Sequence, residues 1–360
     1  MSSNSGWSGW SGWSGWSGWS GWSDGPQAGG LVGAAPGNPM LADAIIRTRA
    51  GIGATDGQLS YRKPDPATTL PFNSAYVFNR WDPNVRFYVL LSELMSGMTF
   101  EPSEEKEIIV SADCKGKLKL ITLTQPSAVV LKGQCKLVQS WSELRNDRLT
   151  EIMSEMAPQV AYWSSMLNLQ PQRHKWTMEL LNLALGVAAI TSFRIKHVLA
   201  IPRPSAFSPD IQPIIAVPEH GSLPSGHATE AYAAANILSA LAGRCDCNAH
   251  TRLFTQASRI AINRTIAGVH FPMDSEAGKM VGTAVAEMLL TKADALKRWN
   301  PRTFVNTKED FDFPQSADSG HSYVVDKAQN LDEDSTLSPS AAPPIPLVKW
   351  LWRKAKAEWV

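Results

Sequence analysis

The chain has 360 residues, 44% apolar and 19% charged, which allows one large domain or two smaller ones and excludes a wholly disordered polypeptide. Thirty-four Lys plus Arg against thirty-three Asp plus Glu leave a net charge of +1. That balance removes the electrostatic case for a dedicated nucleic-acid binder, so any anion site must be local. The four cysteines, Cys114, Cys135, Cys245 and Cys247, contain no C-x-x-C pair and are too few for a disulfide scaffold. They read as buried thiols, with a Cys114–Cys135 bridge as the alternative.

Residues 1–38 carry a Trp-Ser-Gly repeat with Trp7, Trp10, Trp13, Trp16, Trp19 and Trp22 at three-residue spacing. Gly and Ser at two of every three positions favour neither helix nor packed strand, so a flexible tail is expected. Residues 39–134 form a mixed region: a helix over 85–98 opened by Asp82-Pro83, then short β-branched strands over 107–111, 117–124 and 128–132, a small hairpin or meander. From 135 to 300 the pattern is helical, over 142–167, 176–199, 228–241, 252–266 and 274–299. Leu149, Ile152, Met153 and Met156 illustrate the three-and-four spacing of helices that bury one face. The fold class is therefore mainly α, a helical bundle with a small β region before it.

Residues 301–345 read as an acidic flexible linker, with eight acidic residues and only Lys308 and Lys327 between Val305 and Ser335. Residues 346–360 alternate Leu347, Val348, Trp350, Leu351, Trp352 and Trp359 with Lys349, Arg353, Lys354 and Lys356. That is a basic amphipathic helix, suited to an anionic lipid surface or to docking on its own domain. No basic segment followed by an apolar core opens the chain, so no secretory signal peptide is visible. The charge-free apolar stretches 180–193 and 231–243 are shorter than the ~20 residues that cross a bilayer. A soluble chain without a transmembrane span is the expectation.

The chemistry concentrates in three clusters: Lys196-x6-Arg203-Pro204, Pro224-Ser225-Gly226-His227, and Arg264-x5-His270-x3-Asp274. Lys196 falls near a helix end, and Pro202 and Pro204 turn the chain out of it. Lys196, Arg203 and Arg264 around one cavity would bind a tetrahedral dianion through point charge and forked hydrogen bonds. Ser225 is placed to cap the helix that follows, whose free amides and dipole favour an oxyanion, and Gly226 permits close backbone approach. His270, four residues before Asp274 with Pro272 between, is placed just ahead of a helix. A carboxylate on one ring nitrogen would leave the other nitrogen's lone pair free to attack phosphorus or ligate a metal.

This combination resembles the superfamily of type 2 phosphatidic-acid phosphatases, bacterial class A acid phosphatases and vanadium-dependent haloperoxidases. The departure is Asn263, where the family pattern has Ser before the arginine. The resemblance implies a helical bundle of that type in which Lys196, Arg203, Ser225, Gly226 and Arg264 hold the oxyanion and His270 bonds its central atom, oriented by Asp274. As a phosphatase, the chain would hydrolyse a phosphate ester without a cofactor through a phosphohistidine at His270, with His227 protonating the leaving oxygen. As a haloperoxidase, it would hold vanadate as cofactor, with His270 as the vanadium ligand, and turn over hydrogen peroxide and halide. His220, seven residues before His227, is similar to a second histidine of the algal bromoperoxidases and is a possible auxiliary that tunes His227. The haloperoxidase-like reading leads, the soluble acid phosphatase is the alternative, and a non-catalytic surface-binding scaffold is the reading from another class.

Overall fold

The computed structural model describes residues 72–113, 118–156, 159–243, 247–306 and 342–359, with isolated positions at 40–48 and 310–311. The Trp-Ser-Gly repeat, Cys114 and most of the acidic segment lie outside the described residues. A mainly helical fold with a small sheet forms, as expected.

One turn of helix, α1 (Ala75–Phe78), leads into α2 (Pro83–Ser96). Asp82 caps α2 by accepting from Asn84 N at 2.8 Å, and Pro83 occupies a first-turn position that needs no N–H. Strands β1 (Thr99–Pro102), β2 (Glu107–Ser111) and β3 (Lys119–Thr124) make the antiparallel meander, with Phe100 opposite Val110 and Ile108 opposite Leu123. A fourth strand, β4 (Arg302–Phe304), adds parallel to β3 with Ile121 opposite Arg302. It corrects the start of the expected 301–345 linker. Three residues carry no readable alternation; their anchors are tertiary, the Trp299 indole donating to Lys119 O at 2.9 Å and Arg302 gripping Glu287 at 2.6 and 2.8 Å.

Residues 128–132, expected as a strand, open helix α3 (Ala128–Trp141). Val129 and Val130 carry the β-branched signal, yet Leu131, Cys135 and Val138 form a buried helical stripe, and burying it outweighs propensity differences of a few tenths of a kcal/mol. Cys135 is a buried free thiol. The expected long helix over 142–167 is divided: a 3-10 turn (Ser142–Leu144), α4 (Arg145–Ser154) and α5 (Val160–Leu167), with Pro158 in the sequence between them.

The central helix is α6 (Lys175–Leu199), packed by α2, by α7 (Gly226–Ala242), by α9 (Pro272–Lys292) and by α10 (Pro346–Lys356); α8 (Cys247–Ile266) packs on α7. Within Lys175–Ala206 an 18-residue stretch reaches a mean hydropathy of 1.4, so the segment is long and apolar enough to cross a membrane by length and composition, which corrects the length argument drawn from 180–193. In this fold its apolar residues, Leu180, Leu181, Leu183 and Val187 among them, are core.

Helix α10 docks on its own domain, with Val348, Leu351 and Ala355 buried and Trp350 edge-on to Phe78 and Trp176. The apolar face that peripheral membrane contact through 346–360 would need is thereby covered. Its bases join the docking: Lys356 Nζ donates to Leu241 O at 2.6 Å, at the C-terminal end of α7 where a cation suits the dipole. Beyond α10, Glu358 accepts from Trp176 N and Thr177 N, both at 2.8 Å. It serves as the missing cap of α6, since His174 makes no capping bond. Glu358→Ala should therefore cost about 1–2 kcal/mol, by analogy with N-cap losses, and lower the thermal midpoint by a few degrees in calorimetry. An unchanged midpoint would show that the latch carries no stability.

Candidate active site

Helix α6 ends on Ala200, left-handed at φ 48°, whose N–H bonds Lys196 O at 2.9 Å; Gln125 Nε2 takes Leu199 O at 2.8 Å. This end presents Lys196, which is buried, and its Nζ donates to Gly221 O at 2.9 Å and Ser222 O at 2.8 Å. Three residues past Ala200, Arg203 turns back. Its Nη1 donates to Val269 O at 2.8 Å and to His270 Nε2 at 2.9 Å, and its Nη2 meets His220 Nδ1 at 3.1 Å. A guanidinium only donates, so both ring nitrogens present lone pairs. His220 also lies edge-on to Phe193 at 5.1 Å.

The other nitrogen of His270, Nδ1, donates to Asp274 Oδ2 at 2.9 Å, which fixes the tautomer with Nε2 bare. Oδ2 also accepts from Ser222 Oγ at 2.5 Å and from Phe271 N at 2.9 Å. Asp274 thus caps α9 and orients His270 with the same oxygen. Ser225 caps α7, its Oγ accepting from Ala228 N at 3.4 Å, and its own N–H bonds Asp274 O at 2.8 Å, which ties the two helix starts together. Gly226 and His227 form the first turn of α7 beside α6.

His227 Nε2 donates to Glu155 O at 3.2 Å, and Gln159 Nε2 donates to His227 O at 3.3 Å. Both partners come from the break between α4 and α5. The same break delivers the Glu155 carboxylate to Arg264, whose Nη2 donates to Oε2 at 2.5 Å, while Asn263 Nδ2 reaches Oε1 at 2.7 Å. The departure at Asn263 therefore has a local reason, a second donor for a buried carboxylate. Gly268, at φ 84°, makes the turn from Arg264 to His270; a Cβ there would stand 2.9 Å from Arg145 Nη2, which itself holds Ile211 O at 2.6 Å.

Burial and the surrounding cations set the protonation states. Burial, then Arg264, hold His227 down to about 3; burial, Lys196 and Arg203 hold His220 down to about 4. Burial and the same two cations keep His270 well below its ordinary value. Arg259 holds Glu151 down to about 2, whereas burial lifts Glu155 and Glu230 to about 7. The two raised carboxyls contribute stability that is present below their ordinary 4.5 and lost as pH rises through 7. The depressed His227, His220 and Glu151 contribute stability that is lost as pH falls toward about 3, 4 and 2. Below pH 4.5 these depressed groups, with His270, still titrate differently in the two states while Glu155 and Glu230 no longer do, so calorimetry should show a steep fall of the thermal midpoint there. A flat acid limb would contradict these assignments.

All the residues singled out in the sequence, Lys196, Arg203, His220, Ser225, Gly226, His227, Arg264, His270 and Asp274, belong to this one connected region. Arg264, expected among the oxyanion-holding cations, is also paired with Glu155. Ser222, Glu155 and Gln159 were not anticipated. Ser222 lies within the Glu219–Leu223 segment beside the Pro-Ser-Gly-His motif and could have been flagged as its extension; Glu155 and Gln159 lie in a stretch that reads as plain helix.

The donor set fits a tetrahedral oxyanion such as phosphate or vanadate. Arg203 Nη1 meets His270 Nε2, Lys196 and Arg203 both lie near enough to lower the basicity of His270, Arg264 acts likewise on His227 in the first turn of α7, and the buried Arg264 Nε has no acceptor among the described residues. The family model described as PAP2 superfamily matches residues 178–298, which contain all three motifs and stop short of α10 and the sheet. No curated protein matches the chain.

Proposed function

From the premise that residues 178–298 are a PAP2-superfamily domain, we propose that the chain is a vanadate-dependent haloperoxidase-like enzyme that oxidises halide with hydrogen peroxide. The superfamily match supports a phosphatase/haloperoxidase-type function, and the observation that favours the haloperoxidase branch is His220. Its ring lies on Arg203, which also touches His270 Nε2, so a third imidazole belongs to the oxyanion region. Lys196, Arg203, Ser225, Gly226 and Arg264 would hold vanadate, and His270 Nε2 would supply its one protein bond. When bound, vanadate would supply the activation of peroxide. The chain's own residues hold and move charge: Asp274 keeps Nδ1 of His270 protonated, the cations balance the oxyanion, and His227 exchanges a proton.

A second reading, a soluble acid phosphatase, is favoured by the Asp274–His270 pair, which is complete without any cofactor. In it His270 Nε2 forms the bond to phosphorus as the ester oxygen departs with a proton from His227, and water then cleaves the P–N bond to release phosphate. Burial first, and then the cations, keep His227 deprotonated; a dianion among those cations offsets their part, so substrate binding shifts His227 toward the acid form. The test compares bromide-dependent peroxidation in the presence of orthovanadate with hydrolysis of a phosphate monoester in its absence. Peroxidation is the expected result. Hydrolysis that orthovanadate inhibits would reverse the order of the two readings, and neither activity would favour the scaffold reading.

A further inference from the structure

One carboxylate in the region has no part in either reaction. Glu155 follows the last residue of α4 and is buried against Arg264, the pair being 0% and 1% exposed. Asn263 satisfies its second oxygen, and its backbone carbonyl takes the ring of His227. Arg264 Nη2 is committed to Glu155 and to Ile152 O at 3.1 Å.

We propose that Glu155 is a resident counter-anion that shares Arg264 with the bound oxyanion, so that binding of a tetrahedral dianion takes up one proton at Glu155. The proposal rests on the reading of Arg264 as an oxyanion-holding residue. Its reason is charge. A dianion held by Lys196, Arg203 and Arg264 would face the Glu155 carboxylate across a single guanidinium, where both are removed from water and repulsion is least screened. Protonation relieves that repulsion without breaking the framework: a neutral carboxyl still accepts from Arg264 through its carbonyl oxygen and gains an O–H to donate.

The groups that face Glu155 agree with this assignment. Arg264, Asn263 and Arg259 come from α8, Glu151 from α4 and His227 from α7; Arg148 of α4 acts on Glu151, and Tyr162 of α5 acts on Arg264. Burial and the charged Glu151 favour a proton on Glu155, and Arg264 and Asn263 oppose it, which leaves Glu155 near neutrality at about 7. His227 and His220, held at about 3 and about 4, do not change charge near neutral pH. Glu230, also at about 7 and opposite Lys196, is the competing proton acceptor and provides the control.

The probe is tungstate, a tetrahedral dianion, titrated into the full chain between about pH 6.5 and 8.5. The wild-type affinity should weaken by about tenfold per pH unit toward the alkaline end, the slope of one linked proton. Calorimetry in two buffers of different ionisation enthalpy should count about one proton taken up near pH 8. Glu155→Gln should abolish the slope and bind about tenfold more tightly than wild type near pH 8, whereas Glu230→Gln should keep the slope. Persistence of the slope in Glu155→Gln, or its loss in Glu230→Gln, overturns the proposal. The wild-type proton count decides the matter even if Glu155→Gln fails to fold. Tungstate bound without proton uptake overturns the proposal alone; no tungstate binding overturns the oxyanion-site reading and the proposal with it.

Discussion

His270→Ala is expected to lower turnover by about four orders of magnitude or more, whichever of the two activities the chain performs. The expectation follows from the tautomer. Asp274 Oδ2 takes the Nδ1 hydrogen at 2.9 Å, so Nε2 carries the lone pair that Arg203 Nη1 meets at 2.9 Å. The ring of His227 is turned the other way, its Nε2 engaged with Glu155 O. Its bare nitrogen is then Nδ1, and unlike His270 the ring has no carboxylate partner among the described residues to hold it toward the oxyanion. Asp274 keeps Ser222 and Phe271 N as donors in the variant, so α9 should remain capped and circular dichroism should be unchanged. Substantial residual activity in a folded His270→Ala protein would remove His270 from the bond-forming role.

The largest expected effect on stability is at Gly282. Helices α7 and α9 pack so closely that a Cβ at Gly282 would lie 2.3 Å from Thr229 O and 3.0 Å from Ala233 N. Both are backbone atoms of a neighbouring helix, so no side chain can rotate aside and the helices must separate. Gly282→Ala should cost about 2–4 kcal/mol in urea denaturation, although Ala is the better helix former by about 1 kcal/mol. Gly133→Ala on α3 is the counterpart: nothing lies within 4 Å of its Cβ, and a gain of about 0.5–1 kcal/mol is expected. The same contact connects packing to chemistry. At Gly278, a Cβ would stand 2.7 Å from Ser225 O, so the cap of α7 and the oxyanion amides depend on a bare α9 surface. Equal stability of Gly282→Ala and wild type would refute this account.

Much of the fold and of the site was legible because it is encoded over one or two turns of chain. Ser225 before an alanine-rich run specifies a capped helix start, and His270 with Asp274 four residues on, around Pro272, specifies a ring just outside another. The helix over 175–199 follows from its apolar spacing, and Pro202 and Pro204 mark its exit. The misreadings share one cause. Val129-Val130 favours a strand and the run 142–167 favours a continuous helix until packing intervenes, and β4 is too short to carry any pattern.

Local spacing thus decided which residues are reactive and on which helix ends they lie. Tertiary structure alone decided their partners. Arg264 meets Glu155 across a separation of 109 residues, Arg203 meets His270 across 67, Ser222 meets Asp274 across 52, and Glu358 caps α6 across 182. A buried charge must find an opposite charge or a hydrogen bond, but any of the thirty-three acidic residues could satisfy that demand on paper. Which of them does is settled by the packing of α7 against α9 and by the break between α4 and α5, where helices dock by the shape of whole faces.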